Sequence, residues 1–518
     1  MKAEIIFKST RNAVLEITGF GKYKTISEYE LYINDSFRMK SNKAVQTING
    51  LTPDTEYTLI IKTNEGEQKC LDFRTEYEFV TLDVTKFGAK GDGISDDTIF
   101  IQTAINCCPK NGRVLVPAGT FRISSLFLKD NLHLEIAKDA VVLAFTEKEK
   151  FPVLPGNIES YDEIEDYNLG SWEGNPLPMY ASILTGISVS NIVITGEGIL
   201  DGGASFDNWW SYKREKPMPF RPRMLFLNHC SNVTVHGITV RNSPSWTLHP
   251  YFSTDLKFID LKIQNPADSP NTDGMDPESC KNVDIIGIHF TVGDDCIAVK
   301  SGKIYMGSKH KTPCENIIIR NCLMESGHGA VTLGSEMAGG VKNLLVKDCV
   351  FLDTDRGLRI KTRRGRGQDA ILDEIIFEDI EMDEVKTPFV INSFYFCDPD
   401  GHTEYVRTKN TLPVDERTPD IRTLAFRNIE AKNCHVAAFF LYGLPEKKIG
   451  RVELSNINVT YSPNAKAGYP AMMEELDPVS KMGLYANNIT ELQIQNVTIT
   501  GSEYEPFIIK NIEHFIKE

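Results

Sequence analysis

Four short motifs carry most of the chemistry of this chain: Asn271-Thr272-Asp273-Gly274, Gly293-Asp294-Asp295-Cys296, Gly327-His328-Gly329 and Arg359-Ile360-Lys361. Carboxylates gathered at close range repel one another, which raises the pKa of at least one and leaves a proton donor beside a proton acceptor. Cleavage of a glycosidic bond needs that combination. Arg359 and Lys361 are two residues apart, so on a strand they share a face and can hold a carboxylate, the arginine through two parallel N–H donors. Tyr395 closes the run Ile391-Asn392-Ser393-Phe394-Tyr395, where an aromatic residue serves a core as readily as a site. The arginines that follow, Arg363, Arg364 and Arg366, read as a solubilising loop that attracts anions in a general way.

These motifs need a scaffold that brings distant residues into line. From Val114 onward the chain repeats a short apolar strand every few tens of residues, often opened by asparagine: Asn191, Asn232, Asn282, Asn316 and Asn343 each precede such a run. Irregular strand repeats of this length predict a β-solenoid, with apolar side chains in a narrow interior and inward asparagines laddering from coil to coil. Similar runs at 374–380, 421–429, 452–459 and 491–498 continue the stack. Asp294 follows Asn282 by twelve residues and His328 follows Asn316 by twelve, which puts both in one column on consecutive coils about 4.8 Å apart. By spacing, Asp273 belongs one rung earlier in that column and Arg359 on the next rung, slightly out of phase. Gly293 points to a turn or bulge that lets both Asp294 and Asp295 face a cleft instead of burying one charge.

Residues 1–78 read as a small β-sandwich, with strands near Glu4–Phe7, Ala13–Ile17, Tyr29–Ile33, Tyr57–Ile61 and Leu71–Phe73. The stretch Leu51 to Tyr57 resembles the tyrosine corner of fibronectin type III domains. Beyond a boundary at 76–83 comes the large domain, 79–518. It opens with the glycine-rich turn Phe87 to Gly93 and a helix capped by Asp96-Asp97-Thr98, with Ile101, Ala104, Ile105 and Cys108 at helical spacing. Two polar stretches, 145–180 (with the acidic run 161–166) and 394–419, are too long for coil turns and read as functional loops.

The formal charge of −15 argues against nonspecific nucleic-acid binding, and no run of about 18 apolar residues spans a bilayer. Eleven cysteines, several of them (Cys280, Cys296, Cys322, Cys349) beside apolar runs, read as buried free thiols. No Cys/His spacing suggests a metal, no cofactor is expected, and no acidic calcium cage stands out. The first residues show no signal-peptide hydrophobic region, so the expectation is a cytoplasmic protein, or a secreted or periplasmic one if a signal has been removed.

The four motifs, in this order, resemble the signature of the polygalacturonase family of glycoside hydrolases, over roughly residues 80–460. The turn Phe87 to Gly93, and Asp201-Gly202-Gly203 with Trp209-Trp210, agree with it. The resemblance implies an all-β fold, a right-handed parallel β-helix behind the small sandwich. It also implies inverting hydrolysis of α-1,4-linked galacturonate in pectin or its oligomers. Asp294 matches the general acid, and Asp273 and Asp295 match the residues that activate water. Asn271, His328, Arg359, Lys361 and Tyr395 match substrate-binding positions. An inverting pair needs carboxyl groups about 6.5 to 9.5 Å apart, which a spread over neighbouring rungs can provide. A fibronectin-like unit ahead of the helix resembles bacterial exo-acting members, and the sandwich and the 145–180 insertion are the segments expected to wall the cleft. Endo-acting and rhamnogalacturonan-cleaving enzymes are the alternatives within the family. Outside it stand a noncatalytic carbohydrate-binding β-helix and a calcium-dependent pectate lyase.

Overall fold

Residues 1–157, 168–211, 218–304 and 309–518 are described by the structure, a computed structural model; the acidic run 161–166 lies outside them. The repeats wind into a parallel β-helix. One coil comprises Lys281–Ile286, His289–Thr291 and Ile297–Val299; the next, Cys314–Arg320, Leu323–Gly327 and Val331–Gly334; the next, Val341–Lys347, Val350–Thr354 and Arg356–Lys361. Each strand pairs in parallel with its counterpart above, so three ladders of strands enclose one interior.

Alternation along each strand sends every second side chain inward. Ile297, Val331, Leu358 and Phe389 are in register on successive rungs, and none is exposed. Each such side chain contributes about 1.5–3 kcal/mol by leaving water, and the ring of Phe389 stacks on Phe439 at 4.6 Å. The helix Thr98–Cys107 covers the first coil with Ile101, Ala104 and Ile105. All eleven cysteines are free thiols, and Cys280, Cys296, Cys322 and Cys349 are buried.

The asparagine ladder differs from expectation. Asn191, Asn232, Asn282, Asn316 and Asn343 are exposed, and all have φ from 52° to 58°. They lie outside the core because each turns the chain through a left-handed bend, a conformation asparagine tolerates better than most residues. The amides still ladder: Asn316 Nδ2 donates to Asn282 Oδ1 at 3.0 Å, and Asn343 Nδ2 to Asn316 Oδ1 at 2.8 Å.

Residues 2–74 form two antiparallel sheets, one of three strands and one of four, around Leu15, Tyr29, Leu31 and Ile61. The Thr52 amide donates to the Tyr57 phenol at 2.8 Å, tying strand to loop as the corner motif requires. Strands Ser36–Lys43 and Val45–Ile48, absent from the sequence reading, complete the sheets. This unit packs on the bend between the first two strand ladders. Val14 and Val45 meet Ile259 and Ile286, Glu16 pairs with Arg320 at 2.6 Å, and Lys43 pairs with Asp260.

Candidate active site

The third strand ladder and the turns leading into it build the cleft. Asp294 and Asp295 lie between His289–Thr291 and Ile297–Val299, His328 just before Val331–Gly334, and Arg359 and Lys361 on Arg356–Lys361. Ile297 pairs with Val331, and the His328 amide donates to the Asp294 carbonyl at 2.9 Å, so Asp294 and His328 share one column as the spacing predicts.

Asp273 does not join that column. Met275 pairs with Ile297, which puts Asp273 in register with Asp295, and the Gly274 amide donates to the Asp295 carbonyl at 3.0 Å. The coil between them is one residue longer than the 21-residue spacing from Asp273 to Asp294. Arg359 is in register with Thr332 in mid-strand and reaches Asp295 through its length.

Two glycines make the packing possible. A Cβ at Gly293 would stand 2.2 Å from the Ser269 carbonyl oxygen, and one at Gly329 would stand 2.7 Å from Asp295 Oδ1. Neither position admits a side chain, so the turn carrying the two aspartates settles against the coil below, and Asp295 occupies the space over Gly329.

Oxygens of Asp273, Asp294 and Asp295 lie within 4.8 Å of one another. This is tighter than the separation expected for an inverting pair, because two of the residues are rung neighbours and the third is a chain neighbour. Their surroundings differentiate them. Asp273 is 4% exposed and Asp295 1%, whereas the Asp294 side chain keeps 25% of its surface open. Burial opposes ionisation of Asp295, but Lys361 Nζ at 2.9 Å and Arg359 Nη1 at 3.2 Å outweigh it and hold this carboxyl well below the usual range. Burial, reinforced by Asp276 and Asp294, pushes Asp273 well above it. The cations thus favour the ionised form of Asp295, while burial and like charges favour the protonated form of Asp273. Three clustered carboxylates could in principle hold a cation, and here the structure differs from the sequence reading, which saw no acidic cage. The donor set does not suit calcium, since an arginine and a lysine already bind both oxygens of Asp295.

The other expected residues line the same cleft of about 630 Å³: Asn271, His328, Arg359, Lys361 and Tyr395. Asn271 has φ 55° and accepts from Arg221 Nη2 at 2.8 Å. His328 Nδ1 stands 3.7 Å from Asp294 Oδ1, and Lys361 Nζ lies 5.8 Å from the centre of the Tyr395 ring.

Arg363, Arg364 and Arg366 are buried, and the solubilising-loop reading fails. Arg363 and Arg366 both bind Asp398, at 2.9 and 3.0 Å. Arg364 binds Glu446 and donates to the carbonyls of Tyr405, Val406, Thr408 and Asn410. They staple the 394–419 loop onto the helix, and a run of arginines does not by itself reveal carboxylates lying far away in sequence.

Several cleft residues escaped the sequence reading. Lys300 Nζ pairs with Glu336 at 3.1 Å and Asp276 at 3.4 Å, and lies 4.5 Å from the Trp246 ring centre. The signal was available: Lys300 ends the run Ile297-Ala298-Val299 just as Lys361 ends Leu358-Arg359-Ile360. Below them, burial pushes Glu278 up to about 8 and holds His249 neutral, so the 3.0 Å contact between them is a hydrogen bond of two uncharged groups.

Three segments wall the cleft. The hairpin of Ser171–Trp172 and Asn175–Pro176 is anchored by Trp172, whose ring lies 4.0 Å from Phe220 and 4.6 Å from Trp246. The 394–419 loop contributes Tyr395 and Asp398, the latter bound to Lys303 at 3.1 Å, and Met472 closes a third side. The insertion therefore does what its length suggested. The sandwich does not: no described residue of 1–78 lines the cleft, because that unit docks on a different bend.

A parallel β-helix that sets a buried anionic aspartate and an open one against an arginine–lysine clamp defines a polysaccharide-active glycosidase. Residues 156–472 match the model of glycosyl hydrolases family 28, and residues 81–135 match that of rhamnogalacturonase A/epimerase, pectate lyase-like. A probable polygalacturonase of Vitis vinifera is 30% identical over 388 residues, covering 73% of this chain and 74% of its own. A hyperthermoactive exopolygalacturonase from Thermotoga maritima superposes with a TM-score of 0.64 at 25% identity, over 81% of this chain and 91% of the other. The family 28 exopolygalacturonase of Yersinia enterocolitica gives 0.70 at 18% identity, over 99% and 98%, a likeness of fold that includes the N-terminal unit. The chain belongs to glycosyl hydrolases family 28 and is a glycoside hydrolase.

Proposed function

We propose that the protein hydrolyses α-1,4-galacturonosidic bonds of polygalacturonate and its oligomers, from a chain end and with inversion. The observation that carries this reading is the division of labour among the aspartates. Asp294, alone of the three with an open face, donates a proton to the glycosidic oxygen. Asp295 and Asp273 bracket the attacking water, and the ionised Asp295 takes its proton as the new bond to the anomeric carbon forms and the glycosidic bond breaks. A retaining route needs a free carboxylate as nucleophile, whereas burial and like charges favour the protonated form of Asp273 and both oxygens of Asp295 are bound to cations. Water is then the group that attacks. Arg359, Lys361, His328, Asn271 and Tyr395 orient the uronate.

Exo action is supported by the three walls, which leave room for a chain terminus more readily than for a continuous strand. Residues 1–78 we assign to a fibronectin type III-like unit and 79–518 to the catalytic helix, on the two facing sheets and the Tyr57 corner bond. The test of exo action compares viscosity with reducing ends during digestion of long polygalacturonate. Exo action releases reducing sugar while viscosity falls slowly; an early collapse of viscosity with mid-sized oligomers would overturn it and leave the chemistry standing.

A further inference from the structure

Four side chains with full positive charge line the cleft, and three of them are spoken for: Arg359 and Lys361 by Asp295, Lys300 by Glu336 and Asp276. Arg356 is different. Its Nη1 and Nη2 donate to the carbonyl oxygens of Asp355 and Tyr469, each at 2.7 Å, and among the described residues no carboxylate stands within ion-pairing distance of it. The neighbouring Asp355 carboxylate is bound to Lys386. Burial and the nearby Arg359 lower the guanidinium to about 10, which still leaves it charged near neutrality. A charge drawn out of water without a counter-ion is costly, and the other three cations of this lining have each found one.

Register gives the position. The Ala330 amide donates to the Arg356 carbonyl, which places Arg356 above Gly329, and Gly329 stands above Asp295. Arg356 is therefore in the column of Asp273 and Asp295, two rungs beyond Asp295 and so roughly 10 Å along the helix axis. The residue between them has no side chain.

We propose that Arg356 is a second carboxylate-binding cation of the cleft, taking the carboxylate of a galacturonate unit other than the one facing Arg359 and Lys361. This rests on the galacturonan reading above and specifies it: the enzyme recognises two acidic units, and prefers substrates unesterified at both. A guanidinium with two donors already pointing to carbonyls keeps its remaining N–H groups for an anion, and a charge-assisted bond in a partly dried cleft is strong.

The test is calorimetric titration of trigalacturonate, and of its fully methyl-esterified form, into the Asp294→Asn enzyme with and without Arg356→Gln. Loss of the contact is expected to weaken binding of the free acid roughly 10- to 100-fold and to leave binding of the ester nearly unchanged. Should Arg356→Gln not fold, Arg356→Lys is read the same way, with a smaller loss confined to the acid. Undiminished binding of the acid, or equal weakening for acid and ester, would overturn the assignment, the latter marking a packing role. If the Asp294→Asn enzyme binds neither form and the wild type cleaves no galacturonate oligomer, the galacturonan reading itself fails and takes this one with it.

Discussion

Three aspartates within a few ångströms have three different duties, and their neighbours set the difference. Asp294→Asn removes the proton donor that faces the cleft, so kcat is expected to fall by about 10²- to 10⁴-fold with the unfolding curve unchanged; near-normal turnover in a folded variant would reassign the acid. Arg359→Met acts through Asp295. Lys361 and Arg359 hold that carboxyl below the usual range, so losing one moves its pKa up, and the acid limb of the pH–rate profile is expected to shift to higher pH. An unmoved acid limb would mean that ionised Asp295 is not needed. All eight expected site residues meet in one cleft, because short motifs at coil spacing can be read directly from the chain. The protonation pattern could not be read in this way. It depends on burial and on partners such as Asp276, three residues from Asp273 but bound to Lys300 of another coil.

At the scale of elements, the strand runs were visible because alternating apolar residues follow each asparagine. Their facing was not, since the left-handed bend that turns asparagine outward is a backbone property. Asn316→Ala is expected to cost about 1–2 kcal/mol, from forcing alanine into that bend and cutting two amide bonds. Urea denaturation would measure it. The arginine staple is a larger matter. Arg364→Met leaves Glu446 buried without its partner, and a loss of about 3–5 kcal/mol is expected, with faster proteolysis in the 394–419 loop. High salt should not mimic it, as it would for a solvated arginine loop. The sequence showed these arginines but not Glu446 or Asp398, which reach them across 82 and 32 to 35 residues.

For the whole molecule, the buried acids beneath the cleft tie stability to pH. Glu278 titrates at about 8 in the fold and near 4.3 unfolded, so between these values the native state holds a proton that the unfolded chain has released. The contribution is therefore fully present below about pH 4 and is lost as pH rises towards 8. Glu278→Gln is expected to flatten the decline of Tm over that window; an unchanged slope would place the linked proton elsewhere. The sandwich, legible as a separate run of strands, was misplaced as a wall because nothing in the chain states which bend it docks on. A chain lacking residues 1–78 is expected to melt earlier, having lost the contacts to Asp260, Ile286 and Arg320, yet to give the same product pattern. The central claim, hydrolysis of galacturonan from its end, is tested most directly by mass spectrometry of the first products formed from polygalacturonate in ¹⁸O-labelled water with EDTA present. The account predicts saturated mono- or digalacturonate, each carrying one labelled oxygen, at an undiminished rate; unsaturated products, or activity that needs added calcium, would contradict it.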